Sequence, residues 1–344
     1  MSQTTAVAPP TGNRSAVLNA PHDLTVEDRP VPVPAPHEVL VRVGAVGICG
    51  SDVHYYEHGR IGPFVVEAPM VIGHEAAGTV VDVGSEVDRS RIGQRVALEP
   101  GVPCRHCEQC LAGRYNLCPD VVFYATPPVD GAIAELVTLD ADFAHPVPEG
   151  VDDEHAAMAE PVSVGVWASR KADVKPGDRV LVTGAGPIGL LAAQVARAFG
   201  ATRVTITDVS EFRLGVATTL GLDARPATEP LTEEYDVLLE CSGAPAAVRS
   251  GMRALARAGR AVLVGMGPDE VPVDVPLIQT RELSVTGTFR YARTYPLALH
   301  LIGSGQVDVA TLITHRFPLD QTEAALTLAR REPESLKGIV RPQE

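Results

Sequence analysis

Residues 179–200 read RVLVTGAGPIGLLAAQVARAFG, and their order decides the fold of the central region. Val180, Leu181 and Val182 form a short apolar run of the kind that makes a strand buried on both faces. Gly184, Gly186 and Gly189 follow in G-x-G-x-x-G spacing, and the run 190–199 then has the composition of a helix. In such a unit the first glycine allows a tight turn and the second lets backbone approach a pyrophosphate. The third lets helix and strand pack closely. The phosphates would sit on free N–H groups at the helix N-terminus, where the dipole favours an anion. Asp208 closes the next apolar run, 203–207, and lies 19 residues beyond Gly189, where a carboxylate would meet the adenosine ribose. A glycine-rich turn without a ligand is the alternative; the strand before it and the carboxylate after it favour a dinucleotide.

The alternation continues downstream. Strand-like runs at 180–183, 203–207, 237–240, 261–264 and 283–286 alternate with helix-like runs at 187–199, 210–220 and 244–256, which predicts a doubly wound parallel sheet. Upstream the pattern differs. Short strand-like pieces at 15–18, 24–28, 38–46, 76–83, 95–98 and 134–139 are separated by glycine and proline turns, which predicts a compact β-rich domain. The character changes near Pro148, where Asp152 can cap a helix over 154–159 and Pro161 can open another to about 170. From Tyr291 a helix is expected to about 302 and another over 320–330, with strands at 314–317 and 338–340. The expected boundaries fall near 150 and 291, with a flexible tail over 1–14 and a nucleotide-binding domain over 151–290.

A chain of 344 residues is comfortable for two domains. No apolar run reaches the ~18 residues of a membrane helix, and residues 1–13 lack the basic start and apolar core of a secretory signal. Against 29 basic residues stand 43 acidic ones, a net charge of −14. Nucleic acid and anionic membrane both call for a basic surface, so neither is an expected partner. A cytoplasmic setting is expected, where six cysteines point to metal binding or catalysis rather than disulfides.

Four of those cysteines, Cys104, Cys107, Cys110 and Cys118, have the spacing C-x2-C-x2-C-x7-C. Four thiolates on a short loop can close a tetrahedron around zinc with no open position, as in sites that hold structure. An iron–sulfur cluster is the rival, but the last gap is long for the common ferredoxin run. A second set is dispersed: Cys49 in CGSDVHYYEHG, His74 and Glu75 in VIGHEAAGTVVDVG, and Glu160 in AEPVSVGVWA. A thiolate, an imidazole and a carboxylate would give zinc three ligands and leave the fourth position for water or substrate. Each residue taken singly is also compatible with an ordinary core or surface position.

Together these stretches resemble the zinc-dependent medium-chain alcohol dehydrogenases, most closely their sorbitol (L-iditol) and xylitol dehydrogenase branch. The resemblance runs from about 15 to 342 and includes CGSDVHYYEHG, APMVIGHEAAGTVVDVGSEV, LEPG, CEQCLAGRYNLC, ATPPVDGAIAE, EPVSVGVWA, GAGPIG, ECSGA and GTFRY. It implies an α/β fold: a GroES-like catalytic domain from both chain ends, 15–150 and 291–344, with a Rossmann domain inserted over 151–290. It also implies a catalytic zinc on Cys49, His74 and Glu75, a structural zinc on the four cysteines, NAD as cofactor, and a homotetramer. Glu160 stands where other alcohol dehydrogenases place a cysteine ligand, which leaves it two roles, ligand or holder of the zinc's water. Ser51 and His54 match proton-relay positions. Tyr55, Phe123, Glu160, Arg290 and Tyr291 match the lining of a polyol pocket. Besides the three glycines, Ile188, Asp208 and Arg213 match cofactor positions, and Val264, Gly265 and Met266 match the segment beside the nicotinamide. The implied reaction oxidises a secondary alcohol of a polyol to a ketose. Dehydrogenases of the same fold acting on vicinal diols or L-threonine are the near alternative, and a non-catalytic dinucleotide-binding protein the distant one. One departure concerns the 14 residues between Leu220 and Tyr235, too few for the helix the family usually has there.

Overall fold

The structure, a computed structural model, describes residues 12–344. Six strands form one parallel sheet in the order Asp223–Pro226, Arg203–Asp208, Arg179–Thr183, Tyr235–Glu240, Leu255–Leu263, Ser284–Gly287. The chain builds outward from Arg179–Thr183 in one direction and then returns to build in the other. A crevice therefore opens at the carboxyl ends of the two central strands. Leu181 and Leu238 are fully buried in this sheet, and the helix Pro187–Ala198 covers it with Leu190, Leu191 and Val195. Truncating any of these leucines would cost about 2–5 kcal/mol, because the cavity left behind adds to the lost burial. Two elements of this half were not anticipated, the edge strand Asp223–Pro226 and the helix Val275–Arg281, which Asp274 caps. Residues 227–234 form turns and extended chain, as the short spacing there requires. The helix expected over 244–256 ends at Arg253, because Leu255 is already paired with Tyr235 in the sheet.

The second large sheet has seven strands. Its main path is Ala144–Pro146, Arg95–Leu98, Glu75–Val83, Glu38–Gly47, Lys337–Arg341 and Ile313–Pro318, with Leu136–Asp140 also pairing on Glu38–Gly47. Its pairs are antiparallel except the last, between Ile313–Pro318 and Lys337–Arg341. Segments on both sides of the parallel sheet in sequence thus share one sheet. A small sheet of Asp23–Arg29, Asn13–Ala20 and Met70–Val71 packs on it.

Several expectations need correction. Most of the tail expected over 1–14 lies outside the described residues, but Asn13 and Arg14 belong to the first strand. Asn13 donates to Leu136 O and accepts from Leu136 N, at 3.0 and 2.9 Å, which anchors the strand two residues early. The helix expected from Tyr291 begins at Tyr295, and Pro296 stands at its start, where a missing N–H costs nothing. The helix expected over 320–330 is split into Thr322–Leu326 and Leu328–Arg331. The helix placed at Pro161 runs over Ala159–Lys171. A nine-residue helix, Gly50–His58, follows the strand expected over 38–46, in a stretch for which the sequence pattern predicted no element. Among the described residues no helix is long and apolar enough to cross a membrane.

Candidate active site

Cys49, His74 and Glu75 come together where the strands Glu38–Gly47 and Glu75–Val83 meet the helix Gly50–His58. One ligand atom from each lies within 4.8 Å of the other two; Glu160 stands outside that set. Cys49 is the N-cap of the helix, and its N–H donates to Asp52 Oδ2 at 2.9 Å, so a reciprocal cap fixes the thiol's direction. Asp52 is fully buried; its Oδ1 accepts from Gly73 N at 3.0 Å and lies 3.6 Å from His74 Nδ1. Burial opposes a charge on His74, but interactions with Asp52 and Cys49 outweigh it and hold its pKa well above 6.5. Glu75 pairs across the sheet with Gly47, and its carboxylate fills the space a side chain at Gly47 would need. Lys337, 4% exposed, donates to both Glu75 oxygens at 2.8 Å and to Ile48 O at 2.9 Å. An anionic carboxylate, a thiol and an imidazole gathered this closely, with a further buried carboxylate behind, form a donor set suited to a zinc ion.

Glu160 faces this set from the helix Ala159–Lys171. It is buried, and its Oε1 accepts from the Tyr291 hydroxyl at 2.8 Å. Burial pushes its carboxyl up to about 7, against the pull of His74 and with Glu75's charge adding to the rise. Arg290 lies over the Phe123 ring, its guanidinium carbon 3.7 Å from the centroid, and donates to Thr126 Oγ1 at 3.1 Å. Phe123 in turn sits 5.9 Å from the His74 ring, centroid to centroid. Tyr55 is buried on the helix Gly50–His58; on the same helix Ser51 is half-buried and His54 exposed. A cation, phenols and a carboxylate with high proton affinity thus surround Cys49, His74 and Glu75.

The four cysteines form a separate lobe. Cys107 Sγ is 3.4 Å from Cys110 Sγ, Cys104 Sγ is 4.0 Å from Cys110 Sγ, and all four sulfurs lie within 4.8 Å of one another. Thiolates at about 2.3 Å from a tetrahedral zinc would be about 3.8 Å apart, so the lobe has the size such an ion needs. Hydrogen bonding from the His106 backbone draws the Cys104 thiol down to about 6. A thiolate there is ready for a cation.

At the crevice of the parallel sheet the glycines divide their tasks. Gly184 has φ +90°, Gly189 packs against the Gly184 carbonyl, and a side chain built at Gly186 would meet nothing within 4 Å. Gly186 is the N-cap of the helix Pro187–Ala198, so that open space lies at a helix N-terminus, a cradle fitted to a pyrophosphate. Ile188 lies in the first turn of the same helix. Asp208, at the end of its strand, accepts from Ala185 N at 2.6 Å and from Ser210 N at 2.8 Å, which ties it to the glycine turn; Arg213 Nη1 is 3.9 Å away. Val264 N and Gly265 N both donate to Glu240 O, at 2.8 and 2.9 Å, and Met266 beside them is exposed. Glu240 is buried and accepts from Ser242 N and Gly243 N at 3.0 Å, holding the turn that faces Gly265.

Four buried charged residues of these sites escaped the sequence reading: Asp52, Lys337, Glu240 and Glu99, the last bonded to Tyr115 and His145. Asp52 had a local signal, since it stands three residues after Cys49 at a helix start; Lys337 had none.

Family models match the chain in two places. The alcohol dehydrogenase GroES-like domain covers residues 35–149 and the zinc-binding dehydrogenase domain covers 187–304. Sorbitol dehydrogenase of Bacillus subtilis is 42% identical, with 97% of this chain and 98% of that protein aligned. Sorbitol dehydrogenase of Homo sapiens is 44% identical over 92% of each. Among solved structures, a short chain alcohol dehydrogenase from Escherichia coli CFT073 in complex with cofactor NADH superposes with a TM-score of 0.90 at 28% identity. That superposition covers 96% of this chain and all of that one. The conclusion from sequence, fold and comparison alike is that the chain belongs to the zinc-binding medium-chain dehydrogenases, in their sorbitol dehydrogenase branch.

Proposed function

We propose that the protein oxidises a secondary alcohol of a polyol to the ketose, using zinc and NAD. The observation that carries this reading is the ring of hydroxyl-binding groups, Glu160, Tyr291, Arg290 and Tyr55, drawn around Cys49, His74 and Glu75. Zinc held by Cys49, His74 and Glu75 would supply a Lewis acid that lowers the pKa of a substrate hydroxyl, and NAD in the glycine crevice would supply the hydride acceptor. The chain's own residues do the rest. Tyr291 fixes Glu160 through Oε1, so Oε2 is free to take a proton from a substrate hydroxyl or to bind a second one. Ser51 and His54 lead from the half-buried to the exposed side of one helix, a path by which a proton reaches solvent. Arg290, stacked on Phe123, presents a fixed guanidinium edge to further hydroxyls, which a simple alcohol lacks. Four cysteine sulfurs would hold the second zinc, with a structural role.

Asp208 favours NAD: its carboxylate would accept from the ribose hydroxyls and repel a 2′-phosphate, a repulsion Arg213 reduces but does not cancel. The two sheets support a catalytic unit from 15–150 and 291–344 and a nucleotide-binding unit over 151–290. The edge strand Ser284–Gly287, exposed along its length, supports assembly with further copies, up to a homotetramer. A net charge of −14 supports a cytoplasmic setting and small-molecule rather than nucleic-acid partners.

A panel of polyols, vicinal diols and L-threonine, each with NAD and NADP, tests the reading alongside metal analysis. Polyol oxidation with NAD and two zinc ions per chain is the expected result. Preference for a diol or for L-threonine would overturn the substrate, comparable kcat/KM with NADP the cofactor, and no turnover by zinc-loaded protein the catalytic reading itself.

A further inference from the structure

We propose that the four-cysteine lobe sets the specificity of the active site, with Tyr115 and Asn116 as positioning residues for the segment that carries Arg290 and Tyr291. The proposal rests on the reading of those two residues as polyol-contacting. Tyr115 and Asn116 are consecutive in the short 3-10 turn Tyr115–Leu117, between Cys110 and Cys118, and Cys118 N donates to Tyr115 O at 3.0 Å. Asn116 Nδ2 donates to Phe289 O at 2.8 Å, and the Tyr115 hydroxyl accepts from Arg293 N at 2.6 Å. Two neighbouring lobe residues therefore grip residues 289–293 at both ends, with Arg290 and Tyr291 between the grips.

The gripped segment is one that does not hold its shape by itself. Arg290 has φ +52° and Arg293 φ +56°, a left-handed conformation that residues with a Cβ rarely adopt and that persists only where surrounding contacts over-determine it. Those contacts are the two from the lobe, the Arg170 Nη1 bond to Arg293 O at 2.8 Å, the Tyr291 bond to Glu160, and the Arg290 contacts with Thr126 and Phe123. The lobe's grip is itself rigid. Tyr115 donates to buried Glu99 at 2.6 Å, and the other Glu99 oxygen is held by His145 Nε2 at 2.7 Å. Glu99, Tyr115, Asn116, Phe123, Arg290 and Tyr291 line one small shared cavity, so a shift of the lobe is felt directly at the two recognition residues. Cys49, His74 and Glu75 are held by other elements, the strands Glu38–Gly47, Glu75–Val83 and Lys337–Arg341. Loosening the lobe should therefore cost recognition of the extra hydroxyls more than the chemistry on a simple alcohol, which depends on the segment only through the Tyr291 bond to Glu160.

The test uses zinc-loaded full-length Tyr115→Phe and Asn116→Leu. The first loses the acceptor for Arg293 N, and the second loses the donor to Phe289 O. For each variant, KM and kcat are measured with the preferred polyol and with a secondary alcohol bearing no further hydroxyl, and amide hydrogen exchange is followed across residues 289–293. Loss of one such bond should raise the polyol KM about tenfold. The simple alcohol's kcat/KM should fall less than the polyol's, the KM for NAD should stay within about twofold, and exchange at Arg293 should quicken. In an Arg290→Ala background, Tyr115→Phe should add little further to the polyol KM, since both act on one contact. An unchanged polyol KM in folded variants, or equal losses on both alcohols, would overturn the proposal. Unchanged exchange at 289–293 in both variants would also overturn it, independently of the substrate. Wild-type enzyme that used the polyol no better than the simple alcohol would instead overturn the polyol reading.

Discussion

Replacing Lys337 by methionine should weaken the metal-free protein and tighten its hold on zinc. Lys337 and Glu75 are 4% and 0% exposed, and Nζ donates to both carboxylate oxygens at 2.8 Å. Taking away one partner of so buried a pair leaves an uncompensated charge, a loss of about 3–5 kcal/mol. For a chain of 344 residues, 3 kcal/mol corresponds to a fall in Tm of about 4 °C. With zinc on Cys49, His74 and Glu75 the carboxylate has a second cation beside it, so the same substitution should cost less. If zinc makes good about 2 kcal/mol of the loss, the thermodynamic cycle returns that amount as about thirtyfold tighter zinc binding by the variant. The sign follows from charge: Lys337 and zinc share one carboxylate and repel each other. Methionine keeps the length and apolar stem of lysine, so packing of the strand Lys337–Arg341 is disturbed little. Thermal unfolding of chelator-treated and zinc-loaded proteins, with a competitive zinc titration, measures both quantities. Equal losses of Tm with and without zinc, or weaker zinc binding by Lys337→Met, would refute the placement of Glu75 on the metal.

Two other expectations concern carboxylates held by neighbouring side chains. Glu160→Gln should keep its zinc and lose about 10- to 100-fold in kcat, because Glu160 stands outside the ligand set and acts through its free oxygen. Metal analysis with steady-state kinetics checks this, and a zinc-depleted enzyme rescued by added zinc would transfer the ligand role from Glu75 to Glu160. Burial raises the Glu154 carboxyl, but hydrogen bonds and charge from Arg316 and Arg341 outweigh it and hold the pKa below 4.5. A folded pKa below the unfolded one stabilises above pH 4.5 and ceases to as pH falls through the folded value. Glu154→Gln should thus be about 2 kcal/mol less stable than wild type at neutral pH, with the gap closing on acidification below 4.5. A gap independent of pH, read from denaturant melts, would refute it.

What the chain declares openly is what depends on near neighbours. The GAGPIG turn is legible because strand, glycines and helix lie within 22 residues, and the cysteine quartet because all four lie on one loop. The set of Cys49, His74 and Glu75 is not legible from spacing; resemblance supplied it, and the antiparallel pairing of Gly47 with Glu75 explains its geometry. Lys337 is hidden for the opposite reason. Between Leu336 and Gly338 it looks like an ordinary surface lysine, and only pairing of Ile339 with Gly47 brings it to Glu75. Asp52 was missed along with the helix Gly50–His58, whose nine residues carry little apolar periodicity. The helix expected from Tyr291 starts too early, because Arg290 and Arg293 take the left-handed turn conformation and the helix waits for Tyr295. A left-handed arginine has no sequence signature; contacts from distant elements impose it.

Glu75 and Lys337 are 262 residues apart, and the whole six-stranded sheet is encoded between them. On a ribosome the nucleotide-binding half therefore emerges complete while the β-rich half still lacks two of its strands and the cation for its buried carboxylate. During that interval Glu75 must remain hydrated or find another positive charge, and a metal ion is the natural substitute. Zinc captured by a nascent chain would thus neutralise Glu75 until Lys337 joins it. Cells starved of the metal would then be expected to yield fewer correctly closed molecules even where the finished protein tolerates its removal.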